Sequence, residues 1–127
     1  MKRSEVDLIR AVKRGDRTAI KRAIKNSADL NDEDLQGWTP LFHAARRGDV
    51  DVIHVLIEAG AEVNRGRETG FTALFSAVLE GHSEAVRALL AAGAEVFSVQ
   101  GIELRSYARG PELKSILELL SQARVTR

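Results

Sequence analysis

The sequence repeats with a period of 33 residues, and this period constrains the fold more than any other feature. Gly15, Gly48 and Gly81 stand 33 positions apart, and a second series of matched positions has the same spacing. The pairs in that series are Gly37 and Gly70, Thr39 and Thr72, Leu41 and Leu74, and Gly60 and Gly93. A fixed period of this size indicates a stack of supersecondary units, each too small to bury its own apolar face.

The clearest unit runs from residue 34 to about residue 66. Gly37 is predicted to close a β-turn, because glycine tolerates backbone angles that a side chain resists. Thr39 is predicted to cap a first helix, with Pro40 at its first position, where a missing N–H costs nothing. This helix should end at Gly48 in a left-handed conformation. A second helix, with apolar residues at helical spacing, should follow it.

The motif at the start of this unit resembles the ankyrin repeat. Residues 37–45 read GWTPLFHAA, and residues 70–78 read GFTALFSAV. The Thr-Pro-Leu-x-x-Ala-Ala pattern is typical of that family, and the resemblance covers nearly the whole chain. It implies an all-α fold, an α-solenoid in which each repeat is a helix-turn-helix unit with a β-turn finger.

We interpret residues 1–127 as a single ankyrin repeat domain of about four repeats. The approximate bounds are 1–33, 34–66, 67–99 and 100–121, followed by a frayed tail at 122–127. The first and last repeats are atypical and are expected to cap the two ends of the stack. The last one aligns with the third at a shift of 30, so its finger or its first helix has lost about three residues.

Phe42 and Phe75 depart from the family pattern. They occupy the position where the family usually carries a histidine, whose ring ties neighbouring turns together by hydrogen bonds. We predict that the two rings, one repeat apart, stack in one apolar layer. Apolar packing would then replace the usual polar network between repeats.

The residues that could carry chemistry are scattered. His43, His54 and His82 fall in three different structural positions, without i, i+4 pairing or a neighbouring carboxylate cluster, so no metal site is expected. The chain has no cysteine, and we find no phosphate loop, dinucleotide motif or nucleophile elbow. We therefore expect neither catalysis nor a cofactor.

The resemblance implies that the binding surface is a concave groove, lined by finger tips and by the outer part of the first helices. The finger-tip positions are Leu35, Gln36 and Trp38 in the second repeat and Glu68, Thr69 and Phe71 in the third. The matching helix positions are Arg46, Arg47, Leu79 and Glu80, with Lys13 and Arg14 in the amino-terminal cap.

Trp38 is the only tryptophan, and it stands where the fold does not need it for its core. Phe71 repeats this choice in the next finger. Exposed aromatic residues flanked by arginine are typical of interface hot spots, each worth about 2 kcal/mol or more when desolvated. We predict that both rings are substantially exposed and that the partner is another protein with an apolar knob and an acidic rim. The alternative is that the rings stack on each other, or on their own fingers, for stability alone.

The net charge of +1 is unevenly distributed. Residues 1–25 contain nine Lys or Arg and three acids, whereas residues 26–64 contain two basic and eight acidic residues. The basic cluster has no interleaved aromatic residues, and the acidic segment would repel a phosphate backbone, so nucleic acid is disfavoured as a partner. Neither a signal peptide nor a run of ~18 apolar residues is found. We expect a cytoplasmic protein that is monomeric when unbound and does not bind membranes.

These features favour a non-catalytic protein–protein interaction module. Two narrower roles stay open. One is an inhibitor, antitoxin or immunity-type protein that occludes a partner's active surface, and the other is a structural subunit of an assembly.

Asn64 is a candidate for modification. The segment from Leu56 to Asn64 resembles the pattern on which ankyrin proteins are hydroxylated at asparagine by a 2-oxoglutarate oxygenase. We favour a structural role for this side chain, in hydrogen bonds within the base of the finger.

Overall fold

The computed structural model describes residues 3–123 of the 127-residue chain, with side chains from residue 8 onward. The described part contains seven α-helices. They are α1 (Arg3–Arg14), α2 (Arg17–Lys25), α3 (Pro40–Arg47), α4 (Val50–Glu58), α5 (Ala73–Glu80), α6 (Ser83–Ala91) and α7 (Leu113–Gln122). Extended pairing in this part is limited to one isolated antiparallel bridge between Val99 and Ile102. The predicted all-α repeat fold is confirmed.

The two full repeats begin and end their first helix in the same way. Thr39 and Thr72 precede α3 and α5, and each hydroxyl oxygen accepts a hydrogen bond from the backbone N–H three residues later. The two helices end at Gly48 and Gly81, which have φ angles of 72° and 78°. This geometry confirms the predicted threonine caps and left-handed glycine ends.

The second helices are capped in two different ways. The carboxylates of Asp16 and Asp49 accept hydrogen bonds from the first turns of α2 and α4. His82 holds the same position before α6, but its side chain does not cap that helix. Instead, the Glu112 carboxylate accepts hydrogen bonds from both the backbone N–H and the hydroxyl of Ser83. The last repeat therefore caps a helix of the third.

The helices stack in two layers. Helix α3 packs between α1 and α5 in the layer of first helices, while α4 contacts α6, and α6 contacts α7, in the other layer. The buried apolar side chains form one continuous cluster from Leu8 to Leu120. Helices this short are marginal alone, so their stability comes from packing against neighbouring repeats.

The last repeat has lost most of its first helix. A four-residue 3-10 helix, Leu104–Tyr107, replaces the eight residues of α5 in the preceding repeat. The shortening therefore falls in the first helix, which resolves the choice left open by the sequence.

This shortened repeat packs on the third one. The Tyr107 ring lies 5.3 Å from that of Phe75, and its hydroxyl donates a hydrogen bond to the Val99 carbonyl at 3.2 Å. Ile116 is fully buried, and Leu119 packs on the same core. Tyr107, Ile116 and Leu119 thus join the shortened repeat to the rest of the stack.

The predicted frayed tail at 122–127 is described only in part. Gln122 is the last residue of α7, and residues 124–127 lie outside the described residues. A single domain over 1–127 stays a prediction.

Candidate protein-binding groove

A groove of about 470 Å³ lies between the second and third repeats. The fingers supply one part of its lining, and the helices α3 and α5 supply the other. The lining residues are Gln36, Trp38, Phe42, Arg46, Phe71, Phe75, Ser76, Leu79 and Glu80.

Four aromatic rings line this groove as two pairs. Trp38 stacks on Phe42, with ring centroids 4.6 Å apart and planes inclined by 20°. Phe71 meets Phe75 edge-on at 5.2 Å. Each finger ring therefore packs on the first helix of its own repeat.

This packing corrects two predictions. Trp38 and Phe71 are half-buried and not substantially exposed, because each finger folds its ring onto the phenylalanine that replaces the family's histidine. Phe42 and Phe75 belong to separate ring groups that line one groove, and Phe75 also contacts Tyr107. All four rings still reach the groove.

Ser76 connects the two repeats inside the groove. Its hydroxyl lies 3.0 Å from the Phe42 carbonyl oxygen and 2.9 Å from that of Ala73. A hydroxyl has one proton, so it donates to one of these acceptors at a time. The bond to the Phe42 carbonyl oxygen crosses from the third repeat to the second. It supplies part of the hydrogen bonding between repeats that is lost because phenylalanine stands where the family usually has histidine.

Arg46 stands at the edge of the groove. Its guanidinium carbon lies 5.4 Å from the centre of the Trp38 ring, and its Nε is 3.9 Å from a carboxylate oxygen of Glu80. The Arg46 side chain is 52% exposed, and exposed contacts of both kinds are weak. Its charge is therefore available to a partner.

Asp34 and His43 form a hydrogen-bonded pair next to Trp38. The Nε2 atom of His43 lies 2.7 Å from Oδ2 of Asp34, and the two side chains are 3% and 15% exposed. Oδ1 of Asp34 accepts hydrogen bonds from the backbone N–H groups of Gln36, at 2.9 Å, and Trp38, at 3.0 Å. One carboxylate thus closes the finger turn and joins it to α3.

The environment shifts the pKa of both members of this pair downward. Burial lowers the pKa of His43, and this effect outweighs the opposing influence of Asp34. Burial by itself raises the pKa of Asp34, but hydrogen bonds from His43, Trp38 and Gln36 together bring it below its ordinary value. At neutral pH the pair is therefore a neutral imidazole that donates its Nε2–H to an ionised carboxylate.

The groove brings together six of the predicted binding residues: Gln36, Trp38, Arg46, Phe71, Leu79 and Glu80. Leu35 lies outside this lining, and its side chain is fully exposed at the finger tip. A large apolar side chain in that position is free to contact a partner.

The other five predicted residues do not line the groove. Arg47 was expected to face it, but its guanidinium donates a hydrogen bond to the Lys13 carbonyl oxygen at 2.8 Å, so it connects the second repeat to the first. The side chains of Lys13 and Arg14 are exposed on α1. Thr69 shapes its own finger, since its hydroxyl donates to the Gly66 carbonyl oxygen at 3.2 Å. Glu68 lines a different cleft.

That second cleft, of about 710 Å³, has a mainly polar lining. Its lining comprises Glu33, Glu62, Val63, Asn64, Arg65, Gly66, Arg67 and Glu68. Arg65 pairs there with Glu62 at 3.2 Å and with Glu33 at 3.5 Å. Its charge is thus shared between two neighbouring acids.

Asn64 joins successive repeats. Its amide donates to the Gly93 carbonyl oxygen at 3.2 Å, and its Oδ1 accepts from the Glu95 N–H at 2.9 Å. Asn31 makes the equivalent bond one repeat earlier, to the N–H of Glu62 at 2.7 Å. These bonds cross to the next repeat and are not confined to the base of one finger, which corrects the sequence interpretation. Hydroxylation of Asn64 stays a prediction.

Sequence reasoning missed several residues of the groove. Phe42 and Phe75 were interpreted as a structural layer, and Ser76 was not considered. The signal for the phenylalanines was present, because the same departure from the family pattern recurs 33 residues later. The sequence signal for the Asp34–His43 pair was weaker. It consisted only of a histidine at position 43, where the family often has leucine.

The described residues contain neither a metal-binding cluster nor a membrane-spanning helix. No group of three or more His, Asp or Glu side chains in residues 8–123 is placed to hold a metal ion. Within the same residues, no helix has the length and apolar character needed to cross a bilayer.

The stacked helix pairs, the fingers and the groove between them define a helical repeat protein. The family described as ankyrin repeats (3 copies) matches residues 8–99. The chain therefore belongs to the ankyrin repeat family. A comparison with curated proteins finds no match. Ankyrin repeats generally serve as protein–protein interaction modules and are typically not enzymes.

Proposed function

We propose that this protein is a non-catalytic interaction module that binds a partner protein in the groove between its second and third repeats. The observation that carries this proposal is the set of four half-buried or buried aromatic rings that line an open groove of about 470 Å³. Apolar surface left open to water, with a few polar groups at its edge, is typical of an interaction site.

The chemistry of the groove indicates the kind of partner. Its interior is aromatic and suits a large apolar side chain, while Arg46 at the edge carries an available positive charge. Lys13 and Arg14 extend the basic character toward the amino-terminal cap. A protein segment with one apolar residue flanked by acidic residues would match both features.

Leu35 adds a separate contact point. Its side chain is fully exposed next to Gln36, which does line the groove. An exposed leucine contributes little to the stability of the free protein, but it would bury most of its surface against a partner. Burying a leucine fully is worth about 1.5–3 kcal/mol.

The first experiment is a pull-down from a lysate of the source organism, with the native protein and the Trp38→Ala/Phe71→Ala double variant as baits. A partner that the native protein retains and the double variant loses would support the groove as the binding site. Phe97→Ala is the matched control, because Phe97 is half-buried but does not line the groove. All variants are first checked for native helix content by far-UV circular dichroism.

Arg46→Glu tests the charge of the site without removing a ring. We expect partner affinity to fall about 5- to 50-fold, because an acidic side chain at the groove edge would repel an acidic partner. A partner held equally by the native protein, by this variant and by the double variant would place the binding surface elsewhere.

The narrower roles can be separated once a partner is captured. An inhibitor, antitoxin or immunity-type protein would abolish the partner's activity at stoichiometric concentration, whereas a recruiting module would leave it intact. A structural subunit would instead elute as part of a larger assembly in size-exclusion chromatography. Cytoplasmic location stays a prediction, which a fluorescent fusion would test.

A further inference from the structure

We propose that two copies of this chain pair through the groove, with Leu35 of each copy seated among the aromatic rings of the other. The second copy then contributes a residue to the binding site. This inference rests on the proposed function, because it names one occupant of the same groove. It replaces the monomeric state that was expected from the sequence.

Leu35 does not serve the copy that carries it. Its side chain is fully exposed at the tip of the second finger and lies outside the lining of its own groove. The matching position in the third finger, 33 residues later, is Glu68, which is exposed as well. The finger therefore does not require an apolar tip. A surface on another molecule would remove this leucine from water, which is favourable.

The turn that presents Leu35 is fixed by hydrogen bonds. Oδ1 of Asp34 accepts from the backbone N–H groups of Gln36, at 2.9 Å, and Trp38, at 3.0 Å. The Asp34 carbonyl oxygen also accepts from the Gly37 N–H at 2.9 Å. Because the finger already holds this shape in the free protein, inserting its tip into a second copy orders little further backbone.

The groove that receives the leucine is also formed in advance. Trp38 packs on Phe42 at 4.6 Å and Phe71 packs on Phe75 at 5.2 Å, so the four rings are positioned by contacts within one chain. All four still face a groove of about 470 Å³. An aliphatic side chain placed there buries apolar surface on both molecules.

The charges on the two surfaces are complementary. Residues 29–34, which directly precede Leu35, contain four acids and no basic residue. The Glu33 side chain is 44% exposed, and its contact with Arg65 at 3.5 Å is a surface ion pair, which is weak. Arg46 at the groove edge is 52% exposed. An acidic segment ending in an exposed leucine therefore matches an aromatic groove with a basic edge.

Leu35 and the groove lie next to each other on one face, because Leu35 directly precedes Gln36, which lines the groove. A two-fold axis through this face places each leucine in the groove of the other copy. Such a contact uses the same surface on both molecules, so it closes at two copies. The dimer would contain two buried leucines and two Glu33–Arg46 contacts.

A second copy and any other partner would compete for one groove. As the protein concentration rises, fewer grooves stay free, and the apparent affinity for another partner falls in proportion to the free fraction. Self-association would therefore limit partner binding without any change of fold.

The test measures the mass of the purified full-length protein by analytical ultracentrifugation. One leucine per copy makes a small interface, which is typical of a weak dimer. The concentration therefore runs from about 10 μM to about 1 mM. We expect the mass to rise from 13.9 kDa toward twice that value. The dimer should also weaken at high salt, because salt screens exposed charges.

Leu35→Asp tests the leucine. It should weaken the dimer by at least about 100-fold, because each dimer loses two buried leucines. Leu113→Asp is the matched control, since Leu113 is 38% exposed on α7 and does not line the groove. It should dimerise like the native protein. Circular dichroism first confirms that each variant is folded.

A charge exchange tests the two-fold arrangement. Arg46→Glu alone and Glu33→Arg alone each bring like charges together at both contacts, so each variant should be monomeric where the native protein is dimeric. In an equimolar mixture, one contact is inverted and the other is native, so both join opposite charges. The dimer should therefore return on mixing. This pair of variants also decides the question if Leu35→Asp does not fold.

Several outcomes would overturn the inference. They are a native protein that is monomeric over the whole range, a dimer that Leu35→Asp retains, and an equal loss in Leu113→Asp. A mixture of the two charge variants that stays monomeric, or a series of species larger than the dimer, would also overturn it.

The lysate experiment separates this inference from the proposed function. A monomeric native protein that still captures another protein through the groove would overturn the inference and leave the proposed function intact. A dimer with the expected response to the variants that captures no other protein would count against the proposed function alone.

Discussion

At the scale of single residues, the contact between the second and third repeats depends on a glycine beside a histidine. The Nε2 atom of His82 donates a hydrogen bond to the Arg46 carbonyl oxygen at 3.0 Å. The ring reaches this acceptor by passing over Gly48, where an added Cβ would lie 2.7 Å from its Cγ atom. Gly48 thus ends α3 and also leaves room for a hydrogen bond between repeats. The sequence alone gave no indication of this bond, because His82 and Arg46 stand 36 residues apart.

We expect Gly48→Ala to lower the free energy of unfolding more than Gly101→Ala does. Both glycines have positive φ angles, of 72° and 79°, so each alanine adds strain of about 1–2 kcal/mol. Only Gly48 has a neighbouring ring, since a Cβ at Gly101 would have no atom within 4 Å apart from its chain neighbours. Displacing His82 should cost about 1 kcal/mol more through its lost hydrogen bond. Urea denaturation of the matched pair measures this difference, and equal losses would contradict it.

At the scale of secondary structure elements, α6 depends on a cap from another repeat. The Glu112 carboxylate accepts a hydrogen bond from the N–H of Ser83 in the first turn of α6. Helices α2 and α4 are instead capped by the aspartates that directly precede them, Asp16 and Asp49. The Ser83 hydroxyl and N–H, more than any other influence, lower the pKa of Glu112. The start of α6 and the start of α7 are therefore stabilised together.

Glu112→Ala should lower the melting temperature and speed hydrogen exchange at the N–H of Ser83. Glu118→Ala, on the exposed side of α7, is the matched control and should change neither property. The folded protein lowers the pKa of Glu112 below its ordinary value of about 4.5, so the ionised carboxylate stabilises the fold above pH 4.5, and this stabilisation is lost as the pH falls through the lowered pKa. The difference between the wild type and Glu112→Ala should therefore shrink in acid, and a difference constant with pH would argue against the cap.

At the scale of the whole molecule, each repeat contacts its neighbours, and the shortened last repeat covers the end of the third. Helix α7 contacts α6, and the 3-10 helix contacts α5. In such a stack, stability is close to a sum of repeat and nearest-neighbour contributions. Damage to one end should therefore be felt mainly in the adjoining repeat.

Ile116→Ala and Leu113→Ala test this covering role. Ile116 is fully buried and Leu113 is 38% exposed, although both lie on α7. We expect a loss of about 2–4 kcal/mol for Ile116→Ala and less than about 1 kcal/mol for Leu113→Ala. Hydrogen exchange should accelerate in α6 and α7 more than in α3. Uniform acceleration along the chain would show that the stack unfolds as one cooperative unit.

Contacts within one repeat could be predicted well, because they join residues a few positions apart. The Thr39 cap and the Gly48 helix end follow from local backbone chemistry. The half-burial of Trp38 could not be predicted in the same way, since it depends on how far the finger folds back onto Phe42. Arg47 was misplaced because its guanidinium binds a carbonyl oxygen 34 residues away.

The sequence by itself determined the period, the helix pairs, the capping residues and membership of the repeat family, because all of these depend on short-range patterns that recur every 33 residues. The tertiary structure alone decided which side chains meet. It brought Phe42 and Phe75 into the groove, removed Arg47 from it, and joined His43 to Asp34 and Glu112 to Ser83. Distances between repeats depend on the angle and depth at which helices pack, and no local pattern specifies them.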